Sequence, residues 1–160
     1  MRAWFWIGIL GIGCASTGAA QQQPLSLPPM ALTRSDGRAE SLQGALGGSV
    51  AVIDLWATWC TACEAERPKL ERLHAAYGSQ VRVIGLNVGE SAGVVNAYLS
   101  ENRVSYPIYL DPDFRLADLL GEKRLPAILV VDASGRIVHR SPRLDPETLS
   151  TIKARLSSNP

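Results

Sequence analysis

Cys60 and Cys63 are the residues whose type and spacing point most directly to chemistry. A thiolate attacks a disulfide, and a second thiol three residues on, close to one helical turn, can displace what the first has captured. Cys60 falls where an apolar run gives way to a helical pattern, and the unpaired N–H groups of a helix start favour negative charge there. It is the expected nucleophile, and Cys63 is the expected resolving thiol. Cys63 is expected to lie deeper and to need a base that takes its proton. Two carboxylates are candidates: Asp54, six residues before Cys60, and Glu66, one turn beyond Cys63. Burial would raise either carboxyl toward neutrality. A lone acid in a buried run is costly without purpose, which favours a role for Asp54, whereas Glu66 reads equally well as an exposed helix residue. Trp59, Thr61 and Ala62 frame the cysteines and are the expected substrate-facing positions, and Leu125-Pro126 precedes a short apolar run.

The elements that must position these groups follow from periodicity. Residues 49–57 (SVAVIDLWA) are almost continuously β-branched and aromatic, the pattern of a strand covered on both faces. Leu70, Leu73 and Tyr77 recur at helical spacing, which predicts one helix from Thr61 to Tyr77 stopped by Gly78. Residues 81–88 predict a second buried strand, Val94, Val95, Tyr98 and Leu99 a helix face, and 107–110 a short strand. Residues 114–120 read as helix, 127–131 and 136–140 as a closing hairpin turned at Ala133-Ser134-Gly135. Asp145 with Pro146 opens a last helix striped by Leu149, Ile152 and Leu156. Ser35-Asp36-Gly37-Arg38 marks an N-terminal hairpin. Strands alternating with helices and then a hairpin imply an α/β fold, a three-layer α/β/α sandwich.

The chain has 160 residues, which bounds it to one domain with one core. Sixteen basic against fifteen acidic side chains give a net charge of +1, and the basic residues, Arg67 and Lys69 among them, are scattered without interleaved aromatics. They read as solvated faces, so nucleic acid is not an expected partner. Met1-Arg2, an apolar run over residues 3–15 and the small residues 16–20 read as an export signal, 1–20. The run is shorter than the ~20 residues that span a bilayer, although an uncleaved anchor stays open. Cys14 after Leu10-Gly11-Ile12-Gly13 loosely matches a lipoprotein box and could carry a lipid. Residues 21–29 (QQQPLSLPP) read as a tether, and the domain as 30–160.

At these residues the chain resembles thioredoxin-fold proteins, and within them the TlpA/ResA-type disulfide reductases of bacterial envelopes. Asp36-Gly37, residues 52–60 (VIDLWATWC), Cys63 with Glu66 and Pro68, residues 87–91 (NVGES), Leu125-Pro126 and residues 132–135 (DASG) carry the resemblance in order. It implies a thioredoxin-like core with an added N-terminal β-hairpin and an inserted strand-helix segment within residues 80–110. It also implies a cis peptide at Pro126, which would leave the Leu125 backbone free to pair with substrate, a kink at Pro68, and Glu90 as a further acid near the cysteines. The implied activity is reduction of exported protein disulfides in the periplasm or at the outer face of the cytoplasmic membrane. Electrons would come from a membrane thiol transporter, and clients would belong to cytochrome c maturation or metal-site assembly. No cofactor or metal is called for, and a monomer is expected. Ala62 replaces the proline usual before the second cysteine, which leaves the redox potential open.

Rival readings weaken on the same residues. Zinc needs about four ligands, and there is no second CxxC, only His74 and His139. Attached haem would require His after Cys63, where Glu64 stands. A peroxidase would place Thr or Ser three residues before its cysteine, whereas Thr58 lies two before Cys60. A strong oxidant of this fold would carry His between the cysteines. A copper-delivering module using Cys60, Cys63 and His139 is the alternative that remains.

Overall fold

The structure, a computed structural model, describes residues 25–158. Residues 1–20, read as an export signal, and Cys14 within them lie outside that range. The chain runs β1 (Ala31–Arg34), β2 (Ala39–Ser41), α1 (Leu42–Leu46), β3 (Val50–Trp56), α2 (Thr61–Glu64), α3 (Arg67–Tyr77) and β4 (Val81–Val88). It continues with α4 (Ala92–Glu101), β5 (Ile108–Asp111), α5 (Arg115–Leu120), β6 (Ala127–Val131), β7 (Ile137–Ser141) and α6 (Pro146–Ser157). One seven-stranded sheet has the order β2-β1-β5-β4-β3-β6-β7. β3 pairs in parallel with β4, β4 with β5, and the remaining pairs are antiparallel.

β3 is central and every one of its residues is buried, which is what its unbroken apolar run requires. Because side chains alternate along a strand, Ala51, Ile53 and Leu55 face a layer with Leu42 and Leu46 of α1 and Leu116 and Leu120 of α5. Val50, Val52 and Trp56 face the other layer, with Leu70 and Leu73 of α3, Val95 of α4 and Ile152 of α6. The expected three layers are thus present. Asp54 follows the parity of Val52 and Trp56, so it points into the layer that holds both cysteines.

Three details differ from the sequence reading. The helix expected over 61–77 is two, α2 and α3, separated at Ala65 and Glu66. Pro68 has no N–H to give the Glu64 carbonyl and its ring would crowd that oxygen, so the ladder cannot run through. Within residues 80–110 strand β4 is followed by helix α4, as expected of the inserted segment. Helix α1 was not anticipated; Ser41 caps it by accepting from the Gly44 N–H at 3.0 Å. Finally, the end of the segment read as a tether is docked: Ser26 bridges to Arg136, Leu27 N–H donates to the Gly135 carbonyl at 2.9 Å, and Leu27 is buried in the core. Its apolar side chain outweighs the Pro-rich composition around it.

The last helix forms as its cap signal predicts. Asp145 accepts from the Thr148 N–H at 2.8 Å and Pro146 occupies the first turn, a cap worth about 1 kcal/mol. Among the described residues no helix is long and apolar enough to cross a membrane.

Candidate functional site

Trp56 ends β3 at the carboxyl edge of the sheet, and four residues later Cys60 caps α2. Cys60 and Cys63 are joined in a disulfide with Cα atoms 5.3 Å apart. The Cys63 N–H lies 3.0 Å from the Cys60 carbonyl and 3.2 Å from Cys60 Sγ. That N–H is aimed at the sulfur which would carry charge on reduction. Because α2 is a single turn, local N–H groups do this work rather than a long helix dipole. Exposure does not separate the two cysteines: each is 5% exposed, so Cys63 is not the deeper one. Trp59 at 70% exposure, with Thr61 and Ala62 also exposed, forms the rim over them.

Behind the disulfide is a small cavity, with about 10 Å³ open to the centre of a water molecule. Its wall joins Cys60 and Cys63 to Asp54 and Trp56 of β3, Arg67 of α3 and Tyr98 of the inserted helix. Asp54 is buried, and its Oδ1 accepts no hydrogen bond among the described residues. Burial pushes its pKa up to about 7; the nearby Glu66 charge adds to the rise and Arg67 opposes it.

Glu66 is brought close to this site but is turned to another task. It is buried, against the reading of it as an exposed helix residue. Oε1 accepts from Lys69 Nζ at 2.8 Å and Oε2 from the buried Leu144 N–H at 2.8 Å, so it ties the start of α3 to the loop before α6. Glu90 holds the approach to Cys60: it accepts from Thr58 N–H at 2.7 Å, Thr58 Oγ1 at 2.5 Å and Asn87 Nδ2 at 2.7 Å. Burial pushes the Glu90 pKa up, but the bonds from Thr58 and Asn87 outweigh it and the net shift is down.

The Leu125–Pro126 peptide is cis, as the resemblance implied. Leu125 packs against both core layers and lies outside the cavity wall, as does Pro126. His139 sits on β7 with Nε2 3.1 Å from Thr148 Oγ1, away from that wall. Among the described residues no group of three or more His, Cys, Asp or Glu is arranged to hold a metal.

The sequence reading placed Arg67 and Lys69 among solvated charges. In the structure Lys69 pairs with Glu66, and Arg67 is half-buried in the cavity wall. Arg67 lies four residues after Cys63, a helical spacing that could have drawn it in; Tyr98, thirty-one residues from Arg67, carries no local signal.

A family model described as the AhpC/TSA family matches residues 25–140, a stretch that spans the cysteine pair and most of the sheet. The chain belongs to the AhpC/TSA family. Within it, the chain is 31% identical over 94 residues to the thiol-disulfide oxidoreductase ResA of Halalkalibacterium halodurans, covering 58% of this chain and 53% of that one. It is 29% identical over 112 residues to ResA of Bacillus subtilis, covering 69% and 62%. The match therefore spans between half and two thirds of these relatives' own lengths. A thioredoxin-family thiol:disulfide interchange protein from Chlorobium tepidum superposes with a TM-score of 0.70 at 23% identity, over 86% of this chain and 99% of that one. This AhpC/TSA member thus has the thioredoxin-like fold that its motifs led us to expect.

Proposed function

We propose that this chain is an envelope thiol:disulfide oxidoreductase that reduces disulfides of exported proteins through Cys60 and Cys63. One observation carries the reading: the two cysteines are joined across the turn that opens α2, beside a buried carboxyl held near neutrality. The oxidoreductase names of the ResA relatives support the same activity.

In the working cycle the Cys60 thiolate attacks one sulfur of a client disulfide, forming a mixed disulfide and releasing the first client thiolate. Cys63 gives its proton to the Asp54 carboxylate, and its thiolate attacks Cys60 Sγ. The Cys60–Cys63 disulfide forms, the second client thiolate leaves, and two electrons have passed to the client. Each client thiolate takes up a proton, and Asp54 returns its proton to solvent. A dithiol donor, of the membrane thiol-transporter class, then reduces the pair again. Asp54 is a better base than Glu66, because it shares the cavity wall with Cys63 while both Glu66 oxygens are occupied by Lys69 and Leu144.

Trp59, Thr61, Ala62 and the backbone at Leu125-Pro126 are the proposed client face. The N-terminal pattern supports work in the periplasm or at the outer face of the cytoplasmic membrane, where clients would include proteins of cytochrome c maturation or metal-site assembly. The peroxidase alternative loses support, since the Thr58 hydroxyl is bonded to Glu90 rather than turned to Cys60. The copper alternative loses support with His139 engaged at Thr148.

Insulin reduction tests the activity: wild type is expected to be active and Cys60→Ser inactive. The direction is tested by the midpoint potential of the pair in a glutathione titration. Members of this fold range from about −270 mV for reductants to about −120 mV for oxidants. A value at the oxidant end would overturn the proposed direction.

A further inference from the structure

Among the described residues Arg67 is fixed in place without a carboxylate partner. Its Nη2 donates to the Tyr98 hydroxyl and its Nη1 to Asn102 Oδ1 at 3.3 Å, and its guanidinium carbon lies 5.2 Å from the centre of the Tyr98 ring. The Tyr98 hydroxyl in turn donates to Glu64 Oε1 at 3.2 Å, and the Tyr98 ring packs at 5.6 Å from Trp56. Tyr98 and Asn102 come from the inserted helix α4 and the residue that ends it. An arginine on a solvated face needs no such clamp, and an arginine used for stability would pair directly with Glu64. Here the positive charge is instead held in the wall of the cavity that also contains Asp54 and both sulfurs.

We propose that Arg67, aimed by Tyr98 and Asn102, is a positioning residue that sets how tightly Asp54 holds a proton. This rests on the reading of Asp54 as the base for Cys63. Asp54 has few other charged neighbours to answer to. From α3, Glu66 disfavours the ionised carboxylate and Arg67 favours it, while Lys69 is paired with Glu66. From α2 and its cap come Glu64 and, once reduced, the cysteines; from α4 and the loop before β5 come the neutral hydroxyls of Tyr98 and Tyr106. Burial and the Glu66 charge both favour the protonated carboxyl, which cannot accept from Cys63. The Arg67 charge keeps part of the population ionised, and the inserted helix thereby contributes to proton transfer without touching a client.

The test is a carbon-13 NMR titration of the Asp54 carboxyl in the oxidised full-length mature protein, alongside the pH profile of mixed-disulfide release. Arg67→Met is expected to move the Asp54 midpoint up by about one pH unit, the scale of one nearby opposite charge. The acid limb of the release rate moves with it, and Arg67→Lys restores much of both. Arg67→Gln keeps amide donors for Tyr98 and Asn102 but no charge, so it serves if the methionine variant does not fold; the same upward movement is expected. A midpoint and acid limb unmoved in the neutral variant that folds would overturn this role while leaving Asp54 as base. If wild-type Asp54 titrates like an ordinary aspartate, both readings fall together.

Discussion

Asp54 of β3 and Gly85 of β4 stand side by side in the parallel pair, and the missing side chain at Gly85 makes room for the cavity wall. A Cβ there would lie 2.5 Å from Ile108 Cδ1, 3.1 Å from Trp56 Nε1 and 3.3 Å from Tyr106 Cε2. The buried acid therefore has a lid of three large side chains that pack over a backbone position. Gly85→Ala is expected to destabilise by about 1–3 kcal/mol, since a packed wall must shift to accept a methyl group. Urea unfolding measures this, and an unchanged midpoint would mean that the wall yields freely.

Asp54 makes stability depend on pH with a definite sign. Burial pushes its folded pKa up to about 7 from the ordinary 3.8, so between those values the folded state binds more protons than the unfolded one. Stability contributed by this group is therefore lost as pH rises from about 4 to about 7. Asp54→Asn removes the ionising group, and one pKa unit corresponds to about 1.4 kcal/mol. The variant should gain on wild type by a few kcal/mol at pH 8 relative to pH 4. Denaturation of the oxidised proteins at both pH values checks it; a difference independent of pH contradicts the raised pKa.

Glu66 contributes through the Leu144 N–H it satisfies. Glu66→Ala leaves that buried donor without its acceptor, a loss of about 1–3 kcal/mol, whereas Glu66→Gln keeps an amide oxygen for it and should lose less. Thermal or urea unfolding ranks the three proteins. Equal stability of the alanine and glutamine variants would show that the Leu144 bond contributes nothing.

Glu90 acts on the chain just before Cys60. Its hydrogen bonds hold its folded pKa below the ordinary 4.5, so its contribution is present above that value and is lost as pH falls through the lower folded pKa. Glu90→Ala should speed amide exchange at Thr58 at neutral pH, and acidification of wild type should approach the same behaviour. Hydrogen exchange read at Thr58 decides this, since no change in the alanine variant would remove Glu90 from the support of the site.

Much of this was legible locally. The alternation of β3 and its exit into a capped turn place Cys60, Cys63 and Asp54 by strand parity and helix spacing, rules that act over a few residues. The Asp36-Gly37 turn and the Asp145-Pro146 helix start are likewise local: Asp36 accepts from the Arg38 N–H at 3.2 Å, and Gly37 takes φ +87°. The division between α2 and α3 was half legible, because the resemblance implies a kink at Pro68 while its crowding of the Glu64 carbonyl is enough to end a helix.

What the residues alone determined was the reactive pair, the acid on its strand and the layered order of elements, because each depends on the periodicity of one segment. The tertiary structure gave the two acids different surroundings. Among the described residues Asp54 Oδ1 accepts no hydrogen bond, and Glu66 was taken up by Lys69 and Leu144. It also turned Arg67 from a surface charge into part of the site. Those outcomes depend on desolvation and on contacts between segments as far apart as residues 66 and 144, and no local pattern encodes them.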